Sequence, residues 1–348
     1  MNINRKWLAL AAPAIFLLSI ASSQLSQAQA PATATAPKVP LGLIQFQWPK
    51  DNPYSADKVE LGKLLYYDKR LSADNTVACA SCHAPASGFT DGAPVSTGIR
   101  GQKGGRSAPT VINRAYSLAQ FWDGRAASLE EQAKGPIQNP IEMGTTHEAV
   151  VAKLRGIAGY QPLFQKVFGT ADLTIDHVAM AIASYERTVL SGNSPYDRYK
   201  AGQKAAMTPA QIRGMGVYFD KAKCDQCHEG INLTLNAYHN IGVGTGQPNP
   251  DIGRMEVTTN AADWGAFKTP TLRDIARTAP YMHDGSVKTL EDVVEYYDKG
   301  GTPNRNLDER LKPLNLTAQE KKDLAGFLLA FNGEGWMAQH KPPTKFPQ

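Results

Sequence analysis

The chain has 348 residues, of which 42% are hydrophobic, and a formal net charge of +5 at pH 7. This length is enough for two ordinary domains. Basic and acidic residues are nearly balanced and form no basic block, which excludes the electrostatic footprint of a nucleic-acid-binding protein.

The chain begins with the layout of a secretory signal peptide. Two basic residues precede a 13-residue apolar run over 8–20, and small residues follow, with a plausible cleavage site at 26–28. An uncleaved membrane anchor is the alternative, but the run is short for a span and contains Pro13. We therefore predict that residues 1–28 are removed on export to the periplasm, that a Pro/Ala/Thr linker covers 29–49, and that no membrane span remains.

The four cysteines form two identical patterns, CASCH (79–83) and CDQCH (224–228). A Cys-x-x-Cys pair alone would also fit a zinc site or a disulfide, and these remain the alternatives. The His that follows each pair is typical of c-type haem attachment, in which two thiols hold the porphyrin and the His binds the iron. We therefore predict two covalently bound haem c groups. The thiols are those of Cys79, Cys82, Cys224 and Cys227, and the iron ligands are His83 and His228.

An internal repeat organises the rest of the chain. Residues 109–136 align without a gap on residues 270–297, at a constant offset of 161. The repeat predicts two related haem domains, an N-terminal one over 50–205 and a C-terminal one over 206–348.

The periodic segments of both halves favour helices. Thr residues with Glu or Gln three positions later predict capping boxes at 145–148, 208–211 and 317–320. Alternating patterns typical of strands are scarce. The predicted fold is therefore mainly α, with long loops around the haems.

Residues 280–301, PYMHDGSVKTLEDVVEYYDKGG, hold several side chains that could bind a metal. Thr289 is predicted as a helix N-cap. The apolar face that follows contains Leu290, Val293, Val294 and Tyr297. Tyr296 lies about 120° from that face, and Pro136, which cannot bind a metal, is the repeat equivalent of Tyr297. Periodicity leaves open whether Tyr297 is an iron ligand or a packed core residue.

These motifs together resemble the bacterial di-haem cytochrome c peroxidase family, and in particular its MauG-type branch. The resemblance rests on CASCH, on residues 108–144, on CDQCH and on residues 267–294. It implies two cytochrome c-like helical domains with the active site between them. It also implies that hydrogen peroxide is reduced at the open N-terminal haem with electrons that pass through the C-terminal haem.

The resemblance also implies roles for single residues. The bridging tryptophan of the family falls on Trp122, the distal glutamine on Gln132 and the distal glutamate on Glu142. The second axial ligand, Met in the peroxidases proper and Tyr in the MauG branch, falls on Tyr297. Glu142 is then expected to move the peroxide proton, with Gln132 orienting the peroxide beside Pro136.

Three positions depart from the family pattern. Ile99 stands where many members carry a His that blocks the first haem, so we expect this haem to be open without prior reduction. Thr278 and Pro280 match two carbonyl ligands of the family's calcium ion, but Ser107 replaces an Asn, which weakens the implied site. Ala222 stands where the MauG branch carries a surface Trp for drawing electrons from a protein.

Three functions remain open at this point. The first is a peroxidase with a separate electron donor, which could be a small cytochrome, a cupredoxin or an organic molecule. The second is a MauG-like enzyme that oxidises residues of a partner protein, and the third is a non-enzymatic di-haem electron carrier. Ile99, Pro136 and Glu142 together favour an enzyme over a carrier. Tyr297 counts against the ordinary peroxidase, and Ala222 counts against the MauG-like enzyme.

Overall fold

The computed structural model describes residues 36–170 and 172–348. The predicted signal peptide and the first part of the predicted linker lie outside the described residues. Within these ranges no helix is long and apolar enough to cross a membrane.

Helices dominate the regular structure, as the sequence predicts. The helices before residue 205 are α1 (Ala56–Tyr67), α2 (Cys79–Cys82), α3 (Leu129–Gln138), α4 (His147–Arg155), α5 (Gln161–Phe168), α6 (Ile175–Glu186) and α7 (Pro195–Lys200). Those after it are α8 (Pro209–Gly216), α9 (Met255–Thr258), α10 (Leu290–Asp298) and α11 (Ala318–Leu328). Two-residue strands β1 (Tyr238–His239) and β2 (Phe267–Lys268) pair antiparallel and form the sheet of the described part.

The predicted helix starts are confirmed except for one. Thr208 and Thr317 cap α8 and α11 with capping boxes, and Thr289 caps α10 by accepting from the Asp292 N–H. The prediction that Thr145 opens α4 is wrong. The N-cap is Thr146, because the Thr145 N–H donates to the Ile137 carbonyl and holds Thr145 in the preceding loop.

Each half of the chain is built around a pair of helices in close contact. In the first half α1 lies against α6, and a Cβ added to Gly62 would stand 1.8 Å from the Ala181 carbonyl oxygen. In the second half α8 lies against α11, where a Cβ on Gly214 would stand 2.0 Å from the Asp323 carbonyl oxygen. Only glycine allows backbones to approach this closely.

The C-terminal tail returns from the second half to the first. Trp336 belongs to the hydrophobic core of the first half, which also contains Leu61 and Tyr66. The Tyr67 hydroxyl donates to the His340 carbonyl at 2.9 Å, and the Gly159 N–H donates to the Gln348 carbonyl at 2.7 Å. The residues from 36 onward form one compact unit, so the predicted domain boundary near 205 stays a prediction.

Candidate active site

The CASCH motif presents two thiols and one histidine nitrogen. Cys79 and Cys82 are unpaired, and His83 follows α2 directly. His83 Nδ1 lies 3.3 Å from the Phe89 carbonyl oxygen, and the Tyr66 hydroxyl donates to the His83 carbonyl at 2.8 Å. Burial lowers the pKa of His83, so the ring is neutral. With the proton on Nδ1, Nε2 is left as the atom that can bind iron.

The CDQCH motif has the same construction. His228 Nδ1 lies 3.3 Å from the Leu233 carbonyl oxygen, and the Tyr218 hydroxyl donates to the His228 carbonyl at 2.6 Å. Burial lowers the pKa of His228 to about 4. Cys224 and Cys227 are unpaired like the first pair. Both motifs therefore offer the donor set that a covalent haem requires.

Two buried cations add a second observation that fits haem. Arg114 is 8% exposed and Lys268 is 4% exposed, and neither forms an ion pair within the described part of the chain. Burial lowers the pKa of Arg114 to about 10 and that of Lys268 well below its usual value. Isolated buried charges are costly unless an opposite charge compensates them. The propionates of a haem carry such charges.

A cavity of about 310 Å³ opens beside α3 in the first half. Pro136 lines it from the helix, and Asn139 and Glu142 line it from the loop that follows. On the other side the Arg125 guanidinium lies 3.5 Å from the centre of the Phe121 ring. The cavity brings Pro136 and Glu142 together as the sequence predicts. Gln132, one helical turn before Pro136, does not line it.

The surroundings of Glu142 in this cavity shift the pKa of its carboxyl group. Its Oε1 accepts from Asn139 Nδ2 at 2.7 Å. Burial raises the pKa of Glu142, while Arg125 and the Asn139 bond act in the opposite direction. The negative charge of Glu142 also raises the pKa of Cys79, although burial and other neighbouring groups contribute more. Glu142 therefore lies near the first pair of thiols. A carboxyl group with a raised pKa is a better proton acceptor than an ordinary one and can return the proton in a later step.

Ile99 lies in the core beside this cavity rather than in a free loop. Its side chain is 1% exposed, and its N–H donates to the Glu142 carbonyl at 2.9 Å. Gln102 Nε2 donates to the Pro140 carbonyl at 3.1 Å. These two hydrogen bonds fix the 98–102 loop against the loop that carries Glu142.

Trp122 contacts both halves of the chain. Its Nε1 donates to the Ser107 carbonyl at 2.9 Å, and its own carbonyl accepts from the Lys268 N–H at 2.7 Å. The neighbouring Phe267 ring stacks on His283, with 3.7 Å between ring centroids and 14° between planes. Trp122 thus has hydrogen bonds to both halves, and its bridging role stays a prediction.

Two of the three predicted calcium ligands, Thr278 and Pro280, are two residues apart in the chain. The third, Ser107, contacts the segment that follows them. The Ser107 hydroxyl donates to the Met282 carbonyl at 3.0 Å, and the Thr278 hydroxyl donates to the Ile275 carbonyl at 3.1 Å. The peptide bond that precedes Pro280 is cis. The Ser107 oxygen is thus already engaged as a donor, and the calcium ion stays a prediction.

The two tyrosines of α10 differ in their surroundings. The Tyr296 hydroxyl donates to the Ile241 carbonyl at 2.8 Å. The Tyr297 hydroxyl has no hydrogen-bond partner among the described residues. Burial raises the pKa of Tyr297, and the nearby thiols of Cys224 and Cys227 raise it further. Tyr297 therefore lies beside the CDQCH motif, where its free oxygen can serve as a ligand.

Sequence reasoning missed four residues that shape these sites. They are Arg114, Arg125, Asn139 and Lys268. Asn139 had a readable signal, because it stands three residues before Glu142 within the segment 108–144 that carries the resemblance. The cations gave no signal, since basic residues are exposed in most proteins.

Comparisons with known proteins cover most of the chain. Residues 56–205 match the family described as di-haem cytochrome c peroxidase. The chain is 38% identical over 360 aligned positions to cytochrome-c peroxidase IdrP1 of Pseudomonas sp. (strain SCT), spanning 94% of this chain and 93% of that protein. It is 39% identical over 289 positions to methylamine utilization protein MauG of Methylorubrum extorquens, spanning 82% and 81%.

A solved structure is similar over nearly the same length. The crystal structure of a MauG-like protein associated with microbial copper homeostasis has a TM-score of 0.83 to this chain at 34% identity. The match covers 90% of this chain and all of that one.

Proposed function

The chain belongs to the di-haem cytochrome c peroxidase family, and we propose that it is an exported peroxidase that reduces hydrogen peroxide at the haem of the CASCH motif. Membership makes it an oxidoreductase that acts on peroxide and carries two haem c groups. Electrons reach the first haem through the haem of the CDQCH motif. The observation that carries this proposal is the cavity in which half-buried Glu142 and non-ligating Pro136 meet beside the first motif.

The residues of the cavity supply the proton chemistry. When bound through His83, the haem iron supplies the centre at which peroxide binds and gains electrons. The Glu142 carboxylate takes the proton from one peroxide oxygen and returns it to the other, which leaves as water. Asn139 holds that carboxylate in place through its 2.7 Å bond. The orienting role of Gln132 rests on the family resemblance alone, since this side chain does not line the cavity, and Trp122 passes electrons between the halves.

Two related haem domains, over 50–205 and 206–348, form part of this proposal. The same contacts recur in both halves and support it. Tyr66 and Tyr218 each donate to the carbonyl of the following haem-ligand His. The leader over 1–28 and covalent haem attachment support a location in the periplasm, since thioether bonds keep the cofactor on an exported protein.

Tyr297 is proposed as the second ligand of the haem on the CDQCH motif. A tyrosine oxygen is a harder and more anionic ligand than a thioether, so it favours the oxidised iron. This choice favours the sharing of oxidising equivalents over easy reduction by a small cytochrome. It keeps a MauG-like reaction on a partner protein as the second candidate function. A calcium ion held by Ser107, Thr278 and Pro280 completes the proposal.

The pH dependence of peroxide reduction tests the role of Glu142. Burial raises its pKa above 4.5, and the carboxylate is the form that accepts the first proton. We therefore expect kcat/KM for peroxide to fall as the pH falls through a value above 4.5. Circular dichroism over the same range controls for acid unfolding. A rate that stays constant down to pH 4.5 would contradict this role.

The open state of the first haem gives a second prediction. Ile99 is buried and Pro136 cannot bind iron, so neither residue blocks the distal side. Cyanide should therefore bind the fully oxidised, haem-loaded protein as fast as it binds the half-reduced protein, as followed by absorbance in a stopped-flow instrument. Binding only after half-reduction would mean that another side chain closes the site.

A further inference from the structure

A second cavity, of about 560 Å³, lies between the CASCH segment and the C-terminal tail. It is lined by residues of α2, by residues on either side of that helix and by residues between 337 and 342. Cys79, Cys82 and His83 do not line it, and it shares no lining residue with the cavity beside α3. Its volume is typical of sites for small organic molecules.

The walls of this cavity combine apolar surface with positive charge. Alanine and proline side chains make up much of the lining, together with the rings of Tyr67 and His340. Burial lowers the pKa of His340 to about 4, so this ring is neutral. Lys69 and Lys341 add two positive charges, neither Asp nor Glu lines the cavity, and neither lysine forms an ion pair within the described ranges. The complementary ligand is a flat apolar molecule with a negative charge.

Trp336 packs against Phe89, beside the first haem motif, and is the chain neighbour of a residue that lines this cavity. Its ring centroid lies 5.6 Å from that of Phe89, whose carbonyl faces His83 Nδ1 at 3.3 Å. On the other side, Met337 directly follows Trp336 and lines the cavity. The Phe89 ring also lies 5.7 Å from the ring of His340. Aromatic rings in contact therefore run from the cavity wall to the residue that holds the iron ligand.

The surroundings of Trp336 favour the loss of an electron. The indole is 3% exposed, and its Nε1 donates to Asp274 Oδ1 at 3.2 Å. Asp274 is fully buried, and Arg277 Nε also contacts Oδ1 at 3.2 Å, which offsets part of the carboxylate charge. In a medium of low dielectric, a carboxylate this close stabilises the positive charge that one-electron oxidation leaves on an indole.

We propose that this cavity binds a small phenol that bears a carboxylate, and that Trp336 carries electrons from this donor to the haem of the CASCH motif. The inference rests on the peroxidase function proposed above, and it adds a second route to the first haem, separate from the one through the haem of the CDQCH motif, together with the reductant that uses it. Two donor molecules each lose one electron and one phenolic proton. One hydrogen peroxide takes up both electrons and both protons and gives two waters, while two phenoxyl radicals leave the cavity.

Charge reversal at the mouth of the cavity tests the binding site. p-Coumarate is the anionic donor and p-cresol the neutral one. In K69E/K341E the KM for p-coumarate should rise about tenfold, the combined worth of two exposed ion pairs, while the KM for p-cresol is unchanged. The matched control K50E/K288E reverses two exposed lysines that do not line the cavity. An unchanged KM for p-coumarate, or an equal rise in the control, would overturn the site.

Trp336→Phe tests the relay. We expect kcat with p-coumarate to fall while its KM stays the same, and we expect the tryptophan radical signal that electron paramagnetic resonance detects after peroxide addition to disappear. Haem absorbance and circular dichroism report whether the variant folds. If it does not, Trp336→Tyr serves, and the tryptophan radical signal should then be replaced by that of a tyrosyl radical. Turnover and radical signals equal to those of the wild type would overturn the relay.

Peroxide consumption without any donor separates this inference from the function on which it rests. If the haem-loaded wild type does not react with peroxide, the proposed peroxidase function fails. If it reacts but does not oxidise p-coumarate, only the donor site is wrong.

Discussion

Replacement of Glu142 by Gln is expected to lower peroxide turnover by about 10²–10⁴-fold, the usual effect of removing a positioned acid–base group. Gln has nearly the same shape, and its amide oxygen can still accept the hydrogen bond from Asn139 Nδ2 that holds the side chain. Only the ability to take up and return a proton is lost. Initial rates of peroxide consumption, normalised to haem absorbance, measure the effect.

Glu131→Gln is the matched control for this substitution. Glu131 lines the same cavity but is exposed, and its Oε2 accepts from the Ala127 N–H at the start of α3. Its replacement should leave turnover within a small factor of the wild type. If Glu142→Gln is equally mild, Glu142 is a solvated loop carboxylate and has no part in the reaction.

The sequence revealed those parts of the site whose chemistry depends on local spacing. The CASCH and CDQCH motifs need only adjacent residues, and the structure places both histidines with Nδ1 facing a carbonyl. The side chains that share a face of α10 could be predicted from its first residue, because the N-cap Thr289 fixes where the helix begins. The start of α4 was wrong by one residue, since a contact between Thr145 and Ile137 decides it.

Contacts between distant parts of the chain were beyond sequence reasoning. Strand β2 pairs with β1, and the Lys268 side chain of β2 is buried, although most lysines are exposed. The tail residue His340 meets Tyr67 across 273 positions of sequence. No periodicity or motif indicates such a meeting, because it depends on how the completed core accepts the tail.

The second large effect is expected at Tyr297. Tyr297→Met should convert a tyrosine-ligated haem into a His/Met haem and raise its reduction potential by on the order of a few hundred millivolts. Helix α10 already carries position 297 beside the CDQCH thiols, and Met is long and flexible enough to reach the iron. Spectroelectrochemical titration of the haem-loaded protein measures the potential of each haem.

Tyr296→Phe and Tyr297→Phe complete this experiment. Tyr296→Phe removes the hydrogen bond to the Ile241 carbonyl, which costs about 1 kcal/mol of stability and leaves the second haem unchanged. Tyr297→Phe removes the oxygen ligand and should change both the spectrum and the potential of that haem. If the haem responds to Tyr296→Phe instead, the side chains of α10 are assigned to the wrong faces. If it responds to neither, the ligand lies elsewhere. The next residue to replace is then Met282, which lies in the loop before α10 and packs against the hydrophobic core of the second half.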